Sequence, residues 1–386
     1  MRIAILKEIE KDETRVAAIP ETVKKLTTPE QHVVVEKGAG EAAGISDADF
    51  EAAGAEIAER KEALAEADLV LKVRPPTQDD LLDQHEVDLM GQGTALVAAF
   101  SPRTNGELVR KLAEGKISSF SMDEIPRITR AQSMDVLSSM STIAGYKSVL
   151  LAAGQMSKMV PMMMTAAGTI RPSKALIIGA GVAGLQAIAT AKRLGAQVKA
   201  VDVRPAVKEQ VESLGAKFIP MEVEHEAEDV GGYAKDLGEE FYKGEQEILA
   251  PHVKEADLIV TTALIPGKPA PVLITEAMVQ SMDPGSVIVD LAAIAGGNCT
   301  LSEHGKTVEA HGVKIIAPEN IPATVSVHAS QMYARNVMNF LAEFVKDGKI
   351  DMDMENEVVA GTLITHDGKI VHEPTRKALG LTEEEE

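Results

Sequence analysis

The 386 residues are enough for two cores of ordinary domain size, and 39 basic against 59 acidic side chains leave a net charge of −20. That balance argues against nucleic acid, whose phosphate backbone needs basic patches, and against a broad electrostatic hold on anionic lipid. One cysteine, Cys299, permits no intrachain disulfide and points to a reducing compartment; in Gly-Gly-Asn-Cys-Thr, with no partner base, it reads as a buried bystander thiol.

The N-terminal Met-Arg-Ile-Ala-Ile-Leu-Lys-Glu predicts a short strand followed by charge, not a signal peptide. Apolar runs at 3–6, 33–36, 69–73, 94–98 and 117–120 predict strands. Helical patterns at 21–27, after Pro20, and at 105–114 alternate with them, as in a parallel sheet wrapped by helices. Gly38-Ala-Gly40-Glu-Ala-Ala-Gly44 is one residue too long for a dinucleotide fingerprint and reads as a turn. Residues 131–158 read as one long helix, with Val136, Met140, Ile143 and Leu150 at helical spacing, connecting two α/β units. Its methionine-rich continuation, Met156 to Met164, reads either as core or as an exposed apolar surface that pairs subunits. The apolar window 149–170 is broken by Gln155, Lys158, Pro161 and Gly168, so no transmembrane helix is expected there.

The most telling stretch is Lys174-Ala-Leu-Ile-Ile-Gly-Ala-Gly-Val-Ala-Gly-Leu185. An apolar run ends at Gly179, and Gly179, Gly181 and Gly184 form G-x-G-x-x-G before an amphipathic segment. A second apolar run, 197–201, ends at Asp202, about twenty residues on. Strand, glycine turn, helix, strand and acid in that order predict a dinucleotide fold. The glycines permit the tight turn, the approach of a pyrophosphate and the packing of helix on strand; the helix N-terminus offers free N–H groups to phosphate. Asp202 favours NAD(H) over NADP(H), since a carboxylate accepts hydrogen bonds from a ribose diol and repels a 2′-phosphate. Arg204 either receives a 2′-phosphate, or covers the adenine or pairs with a nearby acid.

Further strands are predicted at 217–219, 257–262, 286–291 and 313–317, then a helix at 328–345 and a hairpin of 358–364 with 370–372 around Asp367-Gly368. The connection from Ile219 to Leu258 is unusually long. Its Glu228-Asp-Val-Gly-Gly-Tyr-Ala-Lys-Asp-Leu-Gly238 reads either as a mobile flap or as a surface helix pair with a glycine break. The final Glu383–Glu386 run reads as a solvated tail. The fold expected is α/β, with two Rossmann-like doubly wound parallel-sheet domains joined by a long helix. The first, 1–134 plus 328–386, lacks a fingerprint; the second, 135–327, is the nucleotide-binding one, with a mobile loop at about 226–240.

The chemistry of an ordinary dehydrogenase is missing. Oxidation of an alcohol or amine moves a proton with the hydride and needs a general acid or base. None of the histidines stands beside the fingerprint's expected cleft, and no HExxH, paired CxxC or nucleophile elbow is present, so no metal is expected. The remaining polar cluster is Arg127-Ile-Thr-Arg130-Ala-Gln132-Ser-Met-Asp135 followed by Ser138. Such groups hold a ribose and a carboxamide without making a proton relay. The same residues also read as a helix start capped by Ser133, with Asp135 in its first turn.

These segments together resemble the proton-translocating nicotinamide nucleotide transhydrogenases. The resemblance rests on 127–135, Pro161-Met-Met-Met-Thr-Ala-Ala-Gly168, 184–195, Lys208-Glu-Gln-Val-Glu-Ser-Leu-Gly215, Gly231-Gly-Tyr-Ala-Lys235 and 261–275, and covers essentially the whole chain. It implies the extramembrane NAD(H)-binding component of a Si-specific/Re-specific enzyme, active only with its partners. It implies a homodimer that docks on a membrane-spanning subunit and an NADP(H)-binding component, hence a cytoplasmic protein attached peripherally to the inner membrane with no insertion of its own. Hydride then passes between two nicotinamides, which accounts for the missing acid and base. Carried over residue by residue, Arg127, Gln132 and Asp135 form the catalytic loop, with Gln132 and Asp135 positioning nicotinamide and ribose and Ser138 beside them. Gly179, Gly181, Val182, Gly184, Asp202, Val203 and Arg204 hold the rest of the nucleotide, Gly232 and Tyr233 belong to the mobile loop, and Leu264 lines the cleft. Alanine dehydrogenase shares the architecture. Arg15 and Lys72 fall where that family holds substrate, but Phe100-Ser101-Pro102 replaces its catalytic histidine, and Ile294 stands about where it carries its catalytic aspartate and where many transhydrogenases also carry an acid. A silent NAD-binding scaffold is the third reading.

Overall fold

The computed structural model describes residues 1–221, 238–265 and 268–381, and the chain divides into two compact units. Unit 1 comprises Met1–Met140 and Pro322–Glu386; unit 2 comprises Ser141–Ile321.

Unit 1 is built on an eight-stranded sheet. From one edge its order is Lys369–Ile370, Leu363–His366, Ser118–Ser121, Ala95–Ala98, Leu69–Leu71, Arg2–Ile5, His32–Glu36 and Glu56–Ala58. Six of these strands run parallel; Leu363–His366 and Lys369–Ile370 close one edge antiparallel. The central strands are buried on both faces, which is why they read as continuous runs of Ile, Val, Leu and Ala rather than alternating. Helix Ser326–Phe344 covers one face, and its Phe340 and Phe344 pack on Phe120 with ring centroids 5.8 and 4.5 Å away.

Unit 2 has a seven-stranded sheet in the order Lys217–Ile219, Gln197–Val201, Lys174–Ile178, Leu258–Thr261, Val287–Asp290, Val313–Ala317, Lys306–Ala310. The first six are parallel and start from a central strand that the chain leaves first to one side and then to the other, the doubly wound pattern. The two units are thus both parallel α/β sheets of the expected class. Lys306–Ala310, which sequence reading passes over, is an antiparallel edge strand whose alternating polar residues face water.

Two local expectations change, and one open reading is narrowed. The stretch 131–158 is not one helix: Thr129–Met134 is a 3₁₀ turn, and the α-helix runs Val136–Gln155. Asp135, not Ser133, caps it, accepting from the Ser138 amide at 2.9 Å. By length and composition that helix is apolar enough to cross a membrane, but Val149 and Ala152 are buried in the core of unit 2. A Cβ on its Gly145 would lie 2.0 Å from the Ala183 carbonyl oxygen, so the helix packs closely against helix Val182–Arg193 at that point. Residues 358–362 are helix Glu357–Thr362, capped by Asn356, whose Oδ1 accepts from the Val358 amide at 3.0 Å; only Leu363–His366 and Lys369–Ile370 form the hairpin. Finally, Met163–Thr165 pairs with Gly168–Ile170 as a hairpin exposed along its length, so Met162, Met163 and Met164 are surface, whereas Met156, at the start of the run, packs half-buried against the core of unit 2.

Candidate functional site

The switch point of unit 2 lies at the carboxyl ends of Lys174–Ile178 and Leu258–Thr261, where a parallel sheet leaves a crevice. The glycines shape it in three ways. Gly179 has φ +91°, and a Cβ there would lie 2.5 Å from the Thr262 hydroxyl. A Cβ on Gly184 would lie 1.8 Å from the Gly179 carbonyl oxygen, so glycine is what lets helix Val182–Arg193 sit against the strand. Around Gly181, the N-cap of that helix, the space is open; its nearest neighbour would be Arg204 Nη2 at 4.0 Å. The outer two glycines serve packing and the middle one leaves room for a ligand at the helix N-terminus. Val182, the first helical residue, is exposed.

Asp202 directly follows strand Gln197–Val201 and is buried behind this turn. Its Oδ2 accepts from the Ala180 amide at 2.7 Å and from Arg204 Nη2 at 2.7 Å; its Oδ1 accepts from the Arg204 amide at 2.9 Å and Nε at 2.8 Å. Of the roles read for Arg204, pairing with an acid is the one observed, and the acid is Asp202 itself. Val203 between them is half-buried. A carboxylate offers about four acceptor positions, so Asp202 is saturated, and any further donor to it would have to displace part of Arg204.

Across the switch point, the Thr262 hydroxyl donates to the Gly179 carbonyl at 3.2 Å. Leu264, two residues on, is partly exposed. Asn298 clamps this loop, donating from Nδ2 to Ala263 and Pro271 carbonyls at 2.9 Å each and accepting from the Ala263 amide at 3.0 Å. Asp290 in turn accepts from the Asn298 amide at 2.8 Å, the Cys299 amide at 3.0 Å and the Ser302 hydroxyl at 2.7 Å. Cys299 is buried, which pushes its thiol up to about 11 and leaves it inert as a nucleophile. Ile294 projects into solvent at 71% exposure. Sequence reading misses Thr262 and Asn298 because each is one polar residue in an otherwise ordinary strand end or glycine loop.

The loop Arg127–Ser138 belongs to unit 1. Ala131 and Met134 anchor it in the core, and the Ser133 carbonyl accepts from Asn336 and Asn339 at 2.8 and 3.1 Å. Arg130 pairs with Glu343 at 2.7 Å. This leaves Arg127 and Gln132 exposed, while Asp135 is held by its bond to the Ser138 hydroxyl at 2.5 Å. Among the described residues of the loop, none is a histidine. Gly232 and Tyr233 lie outside the described residues.

Arg15 and Lys72 are also in unit 1, and both are matched internally. Arg15 donates to both oxygens of Glu13 at 2.7 and 2.6 Å. Lys72, fully buried, lies 3.2 Å from Glu8 and 3.0 Å from Glu86. Phe100 is buried in the core, and no imidazole takes its place.

The N-terminal and C-terminal domain models of alanine dehydrogenase/PNT match residues 4–144 and 148–373. The first-part chain of NAD(P) transhydrogenase subunit alpha from Rhodospirillum rubrum is 53% identical over 378 residues, covering 96% of this chain and 98% of that one. An alanine dehydrogenase of Methanococcus maripaludis is 30% identical over 390 residues, covering 99% and 97%. The crystal structure of a transhydrogenase from Sinorhizobium meliloti superposes with a TM-score of 0.83 at 43% identity, covering 97% of this chain and 99% of the other. With matches spanning both sheets and nearly every residue, the chain belongs to the alanine dehydrogenase/PNT family.

Proposed function

We propose that this chain is the NAD(H)-binding component of a proton-translocating transhydrogenase. It binds NAD(H) in the crevice of unit 2 and exchanges hydride with NADP(H) held by a partner component, while a membrane-spanning partner moves the proton. The observation that carries the reading is the glycine turn backed by Asp202, an open helix N-terminus for pyrophosphate beside a carboxylate for the ribose diol. Gly179, Gly181, Val182, Gly184, Val203 and Leu264 would line that site. The likeness to NAD(P) transhydrogenase subunits points to the same reaction.

Transfer of a hydride carries both electrons and no separate proton, so the groups of this chain have only to bind and orient. Arg127, Gln132 and Asp135 suit that role as a guanidinium, a carboxamide and a carboxylate pinned by Ser138, none of them a relay. Alanine dehydrogenase activity is disfavoured, since the cations that would grip an amino acid are occupied by Glu13, Glu8 and Glu86. A homodimer fits the exposed hairpin, where Met162, Met163, Met164 and Ile170 present an apolar surface. Gly232 and Tyr233 are assigned to a mobile loop over the nucleotide, and the protein to the cytoplasmic face of the membrane that holds its partners.

The test is a titration with NADH followed by addition of an NADP(H)-loaded partner. The isolated chain should bind NADH without oxidising it, with or without alanine, and turn over once the partner arrives. Gln132→Asn, shorter by one methylene, should then slow transfer more than tenfold, because reacting atoms must come within about 3–3.5 Å. NADH affinity of the isolated chain should change far less. Equal losses in binding and rate would show that Gln132 holds the ground state instead.

A further inference from the structure

Strand Val287–Asp290 ends on Asp290, and the chain turns back over it through Gly296 and Gly297. Both glycines have positive φ, and a Cβ on Gly297 would lie 2.9 Å from Asp290 Oδ2, so glycine is what lets the loop close on that carboxylate. Asp290 is fully buried; besides Asn298, Cys299 and Ser302 it accepts from the Thr261 hydroxyl and the Ala292 amide, each at 2.9 Å. Asn298 is also fully buried, and every polar group it has is engaged. Its amide donates to Asp290, and its carbonyl accepts from the Leu273 and Ile274 amides at 2.8 and 2.9 Å. Its side chain takes the Ala263 amide and gives to the carbonyls of Ala263 and Pro271. A short carboxamide supplies one acceptor and two donors at this reach, and the partners fix which atom is oxygen. This network ends at the crevice. A Cβ on Gly179 would lie 3.3 Å from the Ala263 nitrogen, so that peptide sits against the first glycine of the turn, with the partly exposed Leu264 next to it.

We propose that Asn298 is a positioning residue for the nicotinamide half of the nucleotide: its side chain holds the Ala263–Leu264 backbone in place at the edge of the crevice that this half meets. The proposal rests on the reading of unit 2 as the NAD(H) site. Topology assigns the halves. A dinucleotide lies across the switch point, with its adenosine ribose at the acid after the second strand, here Asp202. Strand Gln197–Val201 pairs with one side of Lys174–Ile178, and Leu258–Thr261 pairs with the other. The nicotinamide half therefore meets the ends of Leu258–Thr261 and Val287–Asp290, where Thr262, Ala263 and Leu264 follow. Asn298 acts through Ala263 and does not itself reach the crevice. A backbone already bonded to a buried, fully satisfied side chain need not be ordered when the nucleotide arrives, so that entropy is not taken from affinity. The adenosine side stands apart from this network, since Asp202 is held by Ala180 and Arg204.

The experiment compares NADH with ADP, which lacks the nicotinamide riboside, as ligands of the full chain in wild type and N298A. The variant keeps the main-chain bonds of residue 298 and releases Ala263. NADH affinity should fall on the order of tenfold, and ADP affinity by less than about twofold. Losses of equal size for both ligands would mark general damage to unit 2, and an unchanged NADH affinity would show that the clamp positions nothing; either overturns the role of Asn298. Should N298A fail to fold, wild type carries the test through hydrogen exchange at the Ala263 amide, the group that Asn298 holds. NADH should slow that exchange roughly fivefold or more while ADP leaves it unchanged. Equal protection by the two ligands, or none by NADH, overturns the proposal while leaving the nucleotide site intact. A wild-type chain that binds neither ligand overturns the site itself.

Discussion

Units 1 and 2 share a doubly wound parallel sheet, and each has a switch point where the strand order reverses, yet they fill it in opposite ways. In unit 1 it lies between Arg2–Ile5 and Leu69–Leu71 and is packed with charge. Glu8 accepts from the Val73 amide at 2.6 Å and lies against Lys72; Glu86 reaches both Lys72 and Arg60 at 3.0 Å; Arg60 also meets Glu36 at 3.0 Å and Asp79 at 3.1 Å. Four acids surround two bases there, and burial pushes the Glu8 and Glu36 carboxyls up. In unit 2 the corresponding place holds bare backbone, Gly179 to Gly184, with one acid behind it. The sheet is common to both; what differs is whether side chains or a ligand complete the crevice, and that is decided in a few loop residues.

Two glycines of the unit 2 turn give the largest expected effects and separate packing from binding. Gly184→Ala puts a methyl group into the Gly179 carbonyl and should destabilise unit 2 by about 3 kcal/mol while lowering NADH affinity on the order of a hundredfold. Gly181→Ala meets open space, so its stability should stay within roughly 0.5 kcal/mol of wild type while NADH affinity still falls about tenfold. Denaturant unfolding beside fluorescence titration reads both. Should Gly181→Ala bind normally, the helix N-terminus is not where the pyrophosphate rests.

In unit 1 the converse holds. Lys72→Met removes the cation between Glu8 and Glu86 and should cost about 3–5 kcal/mol, since it strands buried acids. NADH affinity should be unaffected. A stable Lys72→Met chain with altered ligand binding would show that this cluster is a site rather than a filled one.

Much of this is legible in the chain. The fingerprint and the central strands follow from backbone needs that write themselves into sequence: glycine where a Cβ would strike a carbonyl, and apolar runs where both faces are buried. Pairing of Arg204 with an acid is among the sequence readings too, though not that the acid is Asp202. What stays hidden is long-range partnership. Nothing local marks Glu86 as the hub for Lys72 and Arg60, or Asn298 as the clamp on Ala263, since those partners are 14, 26 and 35 residues away. Helix Glu357–Thr362 reads as a strand because Val358 and Val359 favour strands, whereas the Asn356 cap and burial of both valines decide for a helix.

The smallest expected effect is a difference in how the units respond to acid, read through one buried group in each. In unit 1, His372 is 6% exposed and its Nδ1 lies 2.8 Å from the Thr375 hydroxyl; burial, and then the Arg103 charge, lower it to about 4 from an ordinary value near 6.5. The folded state therefore holds it neutral, and the unfolded state binds the extra proton. Its contribution is present above about pH 6.5 and is lost as pH falls towards 4. In unit 2, Glu245 on helix Glu239–Glu255 is 5% exposed; burial, and then the Asp202 charge, raise it from 4.5 to about 7, so its contribution is present below pH 4.5 and is lost as pH rises through 7. Each is worth about 2 kcal/mol once partial solvation is allowed for. Since two units need not unfold together, hydrogen exchange should be followed separately in each at pH 4.5 and 6.5. Relative to wild type, His372→Gln should flatten the loss of unit 1 protection on acidification, and Glu245→Gln should flatten the loss of unit 2 protection on raising pH. If both variants shift protection in the same direction, the opposed desolvation of an imidazolium and a carboxylate is not what distinguishes the two cores.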